Sequence, residues 1–162
     1  MNLDQQIQLL IDQAPTDGST PFLMEAIAPV LKSIASQLKH SQYYIIQSPD
    51  DNWVLTTLSN RVQPELQKNV IYAFPTQKDA ANTAYARQDP RAMALPHPVT
   101  HILFQMVAME TVDSLVFFET PGNLDAGTEV ERADVQKLIF SYMQLLKRKS
   151  NNIGSSQSSM LK

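Results

Sequence analysis

The sequence predicts an α+β fold: a small mixed, mainly antiparallel sheet of about four strands, packed with about five helices. Three observations carry that expectation. β-branched and aromatic residues cluster in short runs at 43–47, 53–58, 70–74 and 113–119. Apolar residues recur at helical spacing elsewhere. With 162 residues and a hydrophobic fraction of 43%, the chain fits one domain built on one core.

The elements follow in order. Leu3, Ile7, Leu10 and Ile11 share one face of a first helix over 3–13, which Ala14-Pro15-Thr16-Asp17-Gly18 breaks. Thr20 caps a second helix, and Pro21 suits its first position because the N–H that proline lacks has no intrahelical partner there. Pro29 falls inside its stripe and predicts a kink or a split. Tyr43–Gln47 and Trp53–Leu58, separated by Ser48-Pro49-Asp50-Asp51-Asn52, read as an antiparallel hairpin. Val70–Phe74 is a third strand. Thr76, with Asp79 three residues on, opens a helix that runs to about Arg87, and residues 88–96 read as a loop holding Pro90 and Pro96.

Pro98 to Met109 is apolar on more than one face and predicts a buried helix. Asp113–Glu119, with four apolar residues in succession, reads as a central strand that could run parallel to the third. Pro121-Gly122-Asn123 is a turn, and Thr128-Glu129-Val130-Glu131 reads as a capping box for the last helix. The organisation is then one domain over 1–149, with helices in 1–40 and a core over 43–146, and a disordered tail over 150–162.

The phrases Phe74-Pro75-Thr76 with Asp79-Ala80, and Val112-Asp113-Ser114-Leu115-Val116 with Pro121-Gly122, carry a resemblance. They are similar to turn and packing motifs of the N-terminal domain of the serine-sensitivity enhancer family of bacteria. The likeness covers about residues 43–146. It departs at Val112 and Ser114, where that family often has glycine, and in the two added N-terminal helices. The whole chain also resembles a family of small cyanobacterial proteins that includes a carboxysome shell assembly chaperone. The first resemblance implies a fold and no reaction; the second implies an assembly role.

Composition narrows the chemistry. The chain has no cysteine, which removes disulfides, thiolate nucleophiles and zinc–cysteine sites. Its four glycines form no phosphate loop or dinucleotide fingerprint, and no G-x-S-x-G elbow occurs. The net charge of −3, with Lys147-Arg148-Lys149 as the one compact basic run, argues against nucleic acid. The acidic, glutamine-rich N-terminus lacks the pattern of a signal peptide, and no run approaches the roughly 18 apolar residues of a membrane span. The expectation is a cytoplasmic protein with no membrane, cofactor or metal partner.

Side chains with chemical potential remain. His97 and His101, four apart, could join Glu110 or Asp89 in a metal site, but Pro96 and Pro98 set His97 ahead of the helix and a site needs three or four converging ligands. Asp50-Asp51 reads as a turn, and Glu129 with Glu131 as a cap, rather than as a catalytic pair. No catalytic residue is assigned and the chain reads as not an enzyme. The leading reading is a non-enzymatic protein-binding module, an adaptor or assembly factor. Its candidate partner-binding residues are Tyr43, Tyr44, Trp53, Tyr72, Met93, His97, Glu119 and Asn123. The partner is another protein, added as a peptide segment at a sheet edge or seated in a groove. A small-molecule sensor or carrier with a pocket near Glu119 is the alternative, and a hydrolase the third.

Overall fold

A computed structural model describes residues 2–13 and 20–160, without the side chains of 20–22 and 150–160. The break at 14–18, the Thr20 cap and the last two residues of the tail lie outside what is described. The chain runs α1 (Leu3–Gln13), α2 (Thr20–Ser36), β1 (Gln42–Gln47), β2 (Thr56–Ser59), β3 (Gln67–Ala73), α3 (Gln77–Ala81), α4 (Ala84–Gln88), β4 (Met93–Pro98), α5 (Val99–Ala108), β5 (Ser114–Thr120), β6 (Asn123–Glu131) and α6 (Arg132–Met160). This is a small mixed α+β fold. A four-stranded sheet in the order β2-β3-β5-β6 carries a separate two-stranded ladder of β1 and β4 at its side.

The third and fourth strand runs behave as their alternation dictates. β3 and β5 pair in parallel, Val70 beside Ser114 through Ala73 beside Phe117. Ile71, Ala73, Leu115 and Phe117 point to one face and meet Leu31, Ile102, Leu103 and Val135 from the helices in the main core. Burial continues on both faces of β5 as far as Phe118, as expected of a central strand. α2 passes through Pro29 as one helix, so the split does not occur.

Four local readings are corrected. The 43–58 hairpin does not form a ladder. The chain does turn at Ser48–Asn52, where the Ser48 N–H donates to the Asn52 carbonyl (2.8 Å) and Asp51 takes a φ of 63°. Beyond the turn, only a Gln47–Trp53 bridge and a bond from the Val54 N–H to the Ile46 carbonyl (2.9 Å) join the arms. β1 pairs instead with β4, which begins within the 88–96 segment expected to be a loop and runs on to Pro98. Two prolines disguise β4, yet they suit it. Tyr44 exchanges both backbone bonds with Phe74 (2.8 and 2.9 Å) on its other side, so Pro96 opposite it needs no N–H toward β1.

The helix after Thr76 is two short helices. Thr76 accepts from the Asp79 N–H as expected, and Thr83 starts a second cap by accepting from Ala86. Thr128–Glu131 is not a capping box but part of β6, antiparallel to β5. A Thr-x-Val alternation serves a strand as well as a cap, and Gly122 at φ 79° makes the tight return that allows it. Glu129 and Glu131 therefore do not face a helix N-terminus; they pair with Lys68 (2.6 and 3.3 Å) across the sheet. α6 opens at Arg132, and its helical backbone extends past Lys149 to Met160, into the segment composition reads as a tail.

Candidate groove on the outer sheet face

Period-two alternation sends Tyr72, Phe74, Val116 and Phe118 away from the main core, to the outer face of the sheet. There they join Ile46 and Ala80 in a second, smaller cluster. Parallel pairing places the ends of β3 and β5 side by side, so three rings meet. Phe118 stacks on Tyr72 (centroids 5.5 Å, planes 22° apart) and on Phe74 (5.3 Å, 26°). Such offset stacking adds about 0.5–1.5 kcal/mol per pair beyond burial. Gly127, opposite Phe118 on β6, makes the room: a Cβ there would lie 2.7 Å from Val116 Cγ1 and 3.3 Å from Phe118 Cδ1.

The α3–α4 segment stands beside this face and does not close over it. Between them lies an open groove of about 380 Å³, walled by Tyr72, Phe74, Phe118, Ile46 and Val54, with Tyr85 of α4 and Leu124 of β6 at its sides. Its lining holds no charged side chain. Tyr85 is 39% exposed. No described residue hydrogen-bonds the Tyr72 or Tyr85 hydroxyl, and no buried side-chain polar atom among the described residues lacks a partner. The two phenols are donors and acceptors open to whatever enters the groove.

The eight sequence candidates do not converge. Tyr44 and Tyr72 belong to the outer cluster, and Tyr72 lines the groove. Tyr43, one residue from Tyr44, points the other way and is completely buried in the main core. Its hydroxyl donates to Glu119 Oε1, while Glu119 Oε2 accepts from the Lys39 N–H (2.7 Å). Both oxygens of Glu119 are thus engaged within the fold. Burial first, and the Glu119 hydrogen bond second, hold the Tyr43 hydroxyl well above the usual tyrosine range. Met93 is 58% exposed at the start of β4, and Asn123 is the exposed first residue of β6, whose side chain accepts from the Asp125 N–H (3.0 Å).

Trp53 and His97 form their own pair, with ring centroids 5.1 Å apart and His97 Nε2 3.1 Å from Gln47 Oε1. His101 Nε2 meets the Gln6 carbonyl (3.2 Å). Among the described residues, no three His, Asp or Glu side chains are grouped to hold a metal. Burial, with His101 as a smaller contribution, pushes His97 below the usual histidine range. A depressed value favours neutral imidazole in the fold. Its contribution to stability is full above the unfolded value near 6.5 and is lost as pH falls through the folded value. The urea midpoint is expected to fall between about pH 7.5 and 5, and His97→Gln to flatten that fall. An unchanged slope in the variant would remove His97 as the cause.

The groove walls missed from sequence are Ile46, Val54, Phe74, Tyr85, Phe118 and Leu124. Tyr72/Phe74 and Val116/Phe118 carry a signal, since each pair is two apart on a strand and shares a face. No helix of the described residues is long and apolar enough to cross a membrane. Comparisons with protein-family models, curated proteins and solved structures find no match.

Proposed function

We propose that this chain is a non-enzymatic protein-binding module, an adaptor or assembly factor, that seats an apolar segment of its partner in the aromatic groove. One observation carries the reading: a charge-free groove floored by the Tyr72–Phe118–Phe74 stack, with two tyrosine hydroxyls free of partners among the described residues. Aromatic rings in a pocket that excludes water are the usual anchors of protein interfaces, and phenols can bond the backbone of an extended segment. The resemblance to the cyanobacterial assembly chaperone supports the same class, with carboxysome shell assembly in the cytoplasm as the implied setting; the resemblance to the serine-sensitivity enhancer domain implies a fold alone.

The test is capture of a partner from native lysate by the protein and by Tyr85→Ala. Tyr85 is exposed, so its removal leaves the fold intact. Capture is expected to weaken roughly tenfold or more, as for an interface anchor. The groove volume also favours a second reading, a carrier of a small apolar molecule, because it lies at the lower end of the range for such pockets, roughly 300–1,000 Å³. An empty pull-down together with a metabolite that raises the melting temperature by several degrees would replace the first reading with the second.

A further inference from the structure

β6 bounds the four-stranded sheet on one side, and among the described residues it pairs with β5 alone. Its nine residues are exposed, apart from a half-buried Val130. A long, exposed edge strand presents unpaired backbone groups to any extended segment that fits.

Which groups those are follows from the ladder. The Arg132 N–H donates to the Asp113 carbonyl (2.9 Å), just past the Ser114–Glu131 pair. Bonded and non-bonded pairs alternate along an antiparallel ladder. Val130 and Thr128 therefore bond to β5 opposite Leu115 and Phe117, and Gly127, Glu129 and Glu131 direct their N–H and C=O groups to the free edge.

Glu129 and Glu131 turn their side chains to the outer face, where Lys68 meets both and Glu129 also accepts from the Ser114 hydroxyl (2.8 Å). With Asp125, the strand carries three carboxylates against that one ammonium group. The opposite edge, β2, is four residues long and uncharged, Thr56-Thr57-Leu58-Ser59. Charge selects the occupant of β6. A second copy of β6 would set carboxylate against carboxylate, and like charges directly opposed across strands are destabilising. A segment with lysine or arginine at alternate positions would set cations against Glu129 and Glu131.

We propose that the free edge of β6 takes up an extended basic segment of a partner protein as an added strand, bonded through Gly127, Glu129 and Glu131. This names a partner class for the protein-binding reading and rests on it, but uses a surface distinct from the groove walls.

The test uses the full chain and three nine-residue peptides. One alternates lysine with valine or threonine, one has glutamate for lysine, and one is the lysine peptide with a central proline. Saturable binding of the lysine peptide alone is expected. It should weaken on the order of tenfold in E129Q/E131Q, since each opposed charge pair is worth about 0.2–1 kcal/mol. Both glutamates are partly exposed, so the double variant keeps the fold. At saturation, amide exchange at Gly127, Glu129 and Glu131 should slow, while Thr128 and Val130, already in the ladder, stay unchanged. Unaltered exchange at those three amides overturns the proposal, as does equal affinity for the glutamate peptide or no saturable binding. A partner captured from lysate that is lost in Tyr85→Ala and retained in E129Q/E131Q leaves the groove reading standing and sinks this one.

Discussion

Gln6→Ala is expected to destabilise the protein by about 2–4 kcal/mol, although glutamine in an N-terminal helix would ordinarily be solvated. Gln6 is 1% exposed. α5 has a poor start: Pro98 precedes it and offers no side-chain cap. Gln6 supplies one from 94 positions away. Its Oε1 accepts from the Thr100 N–H (3.1 Å) and the Thr100 hydroxyl (2.8 Å), and its Nε2 donates to the Ser41 carbonyl (2.8 Å), which also accepts from Val99 (2.9 Å). One side chain thus joins α1, the approach to β1 and the N-terminus of α5. Truncation leaves two buried donors at Thr100 without their acceptor, each unsatisfied group costing about 1–3 kcal/mol. Chemical denaturation measures the loss. The exposed Gln13→Ala, at the end of the same helix, is the control, expected within about 0.5 kcal/mol. A cycle with Thr100→Ala should be less than additive, because both single changes break the same bonds. Full additivity would mean that Gln6 acts through packing alone.

How much of this was legible depends on the range of each interaction. The faces of β3 and β5 were legible, because alternation of Ile71 and Ala73 against Tyr72 is a property of the strand itself. So was the Thr76 cap, whose partner Asp79 lies three residues away. The hairpin failed for the opposite reason. Tyr43–Gln47 and Trp53–Leu58 have the composition of hairpin arms, and Asp50-Asp51 does turn the chain, but pairing is decided by partners far away. β1 is matched by a strand that contains Pro96 and Pro98, residues that argue against a strand unless its outer edge is known to be free. Thr128–Glu131 failed because a cap and an alternating edge strand can share one pattern. The groove was half legible: Tyr72 was singled out, but Phe118 meets it only through the parallel register of β3 with β5, which no local signal sets. Nothing in the sequence near Gln6 points to Thr100.

The groove and the acidic edge are also linked through one residue. Gly127 lets Phe118 lie across β6, which gives the groove its floor, and leaves that stretch of the free edge without a side chain. A sheet that packs one face on four helices and leaves the other to a short helix pair thus exposes two surfaces of different character, an apolar groove and a negatively charged edge. Glu119, the carboxylate singled out for a ligand, lines neither surface.

Glu119 instead fastens the segment between α2 and β1 to the end of β5, and Glu119→Ala is expected to cost about 2–4 kcal/mol, the loss of a charge-assisted pair of bonds with a buried donor left behind. Its carboxylate accepts from the Tyr43 hydroxyl and the Lys39 N–H, and its backbone carbonyl lies 2.6 Å from His40 Nε2. The Tyr43 ring is itself fixed edge-on by His40 (5.4 Å) and Phe117 (4.9 Å). Tyr43→Phe keeps that packing and the Lys39 bond, so its cost should be smaller, about 1–2 kcal/mol. The pH dependence separates the two. Because Tyr43 is held above the usual tyrosine range, the fold favours the protonated phenol. That contribution is full below the unfolded value near 10 and is lost as pH rises through the folded value. Denaturation midpoints of the parent protein should therefore decline above about pH 10, and Tyr43→Phe should remove Tyr43's share of that decline while being less stable at neutral pH. An identical alkaline limb in parent and variant would show that the Tyr43 hydroxyl does not carry it.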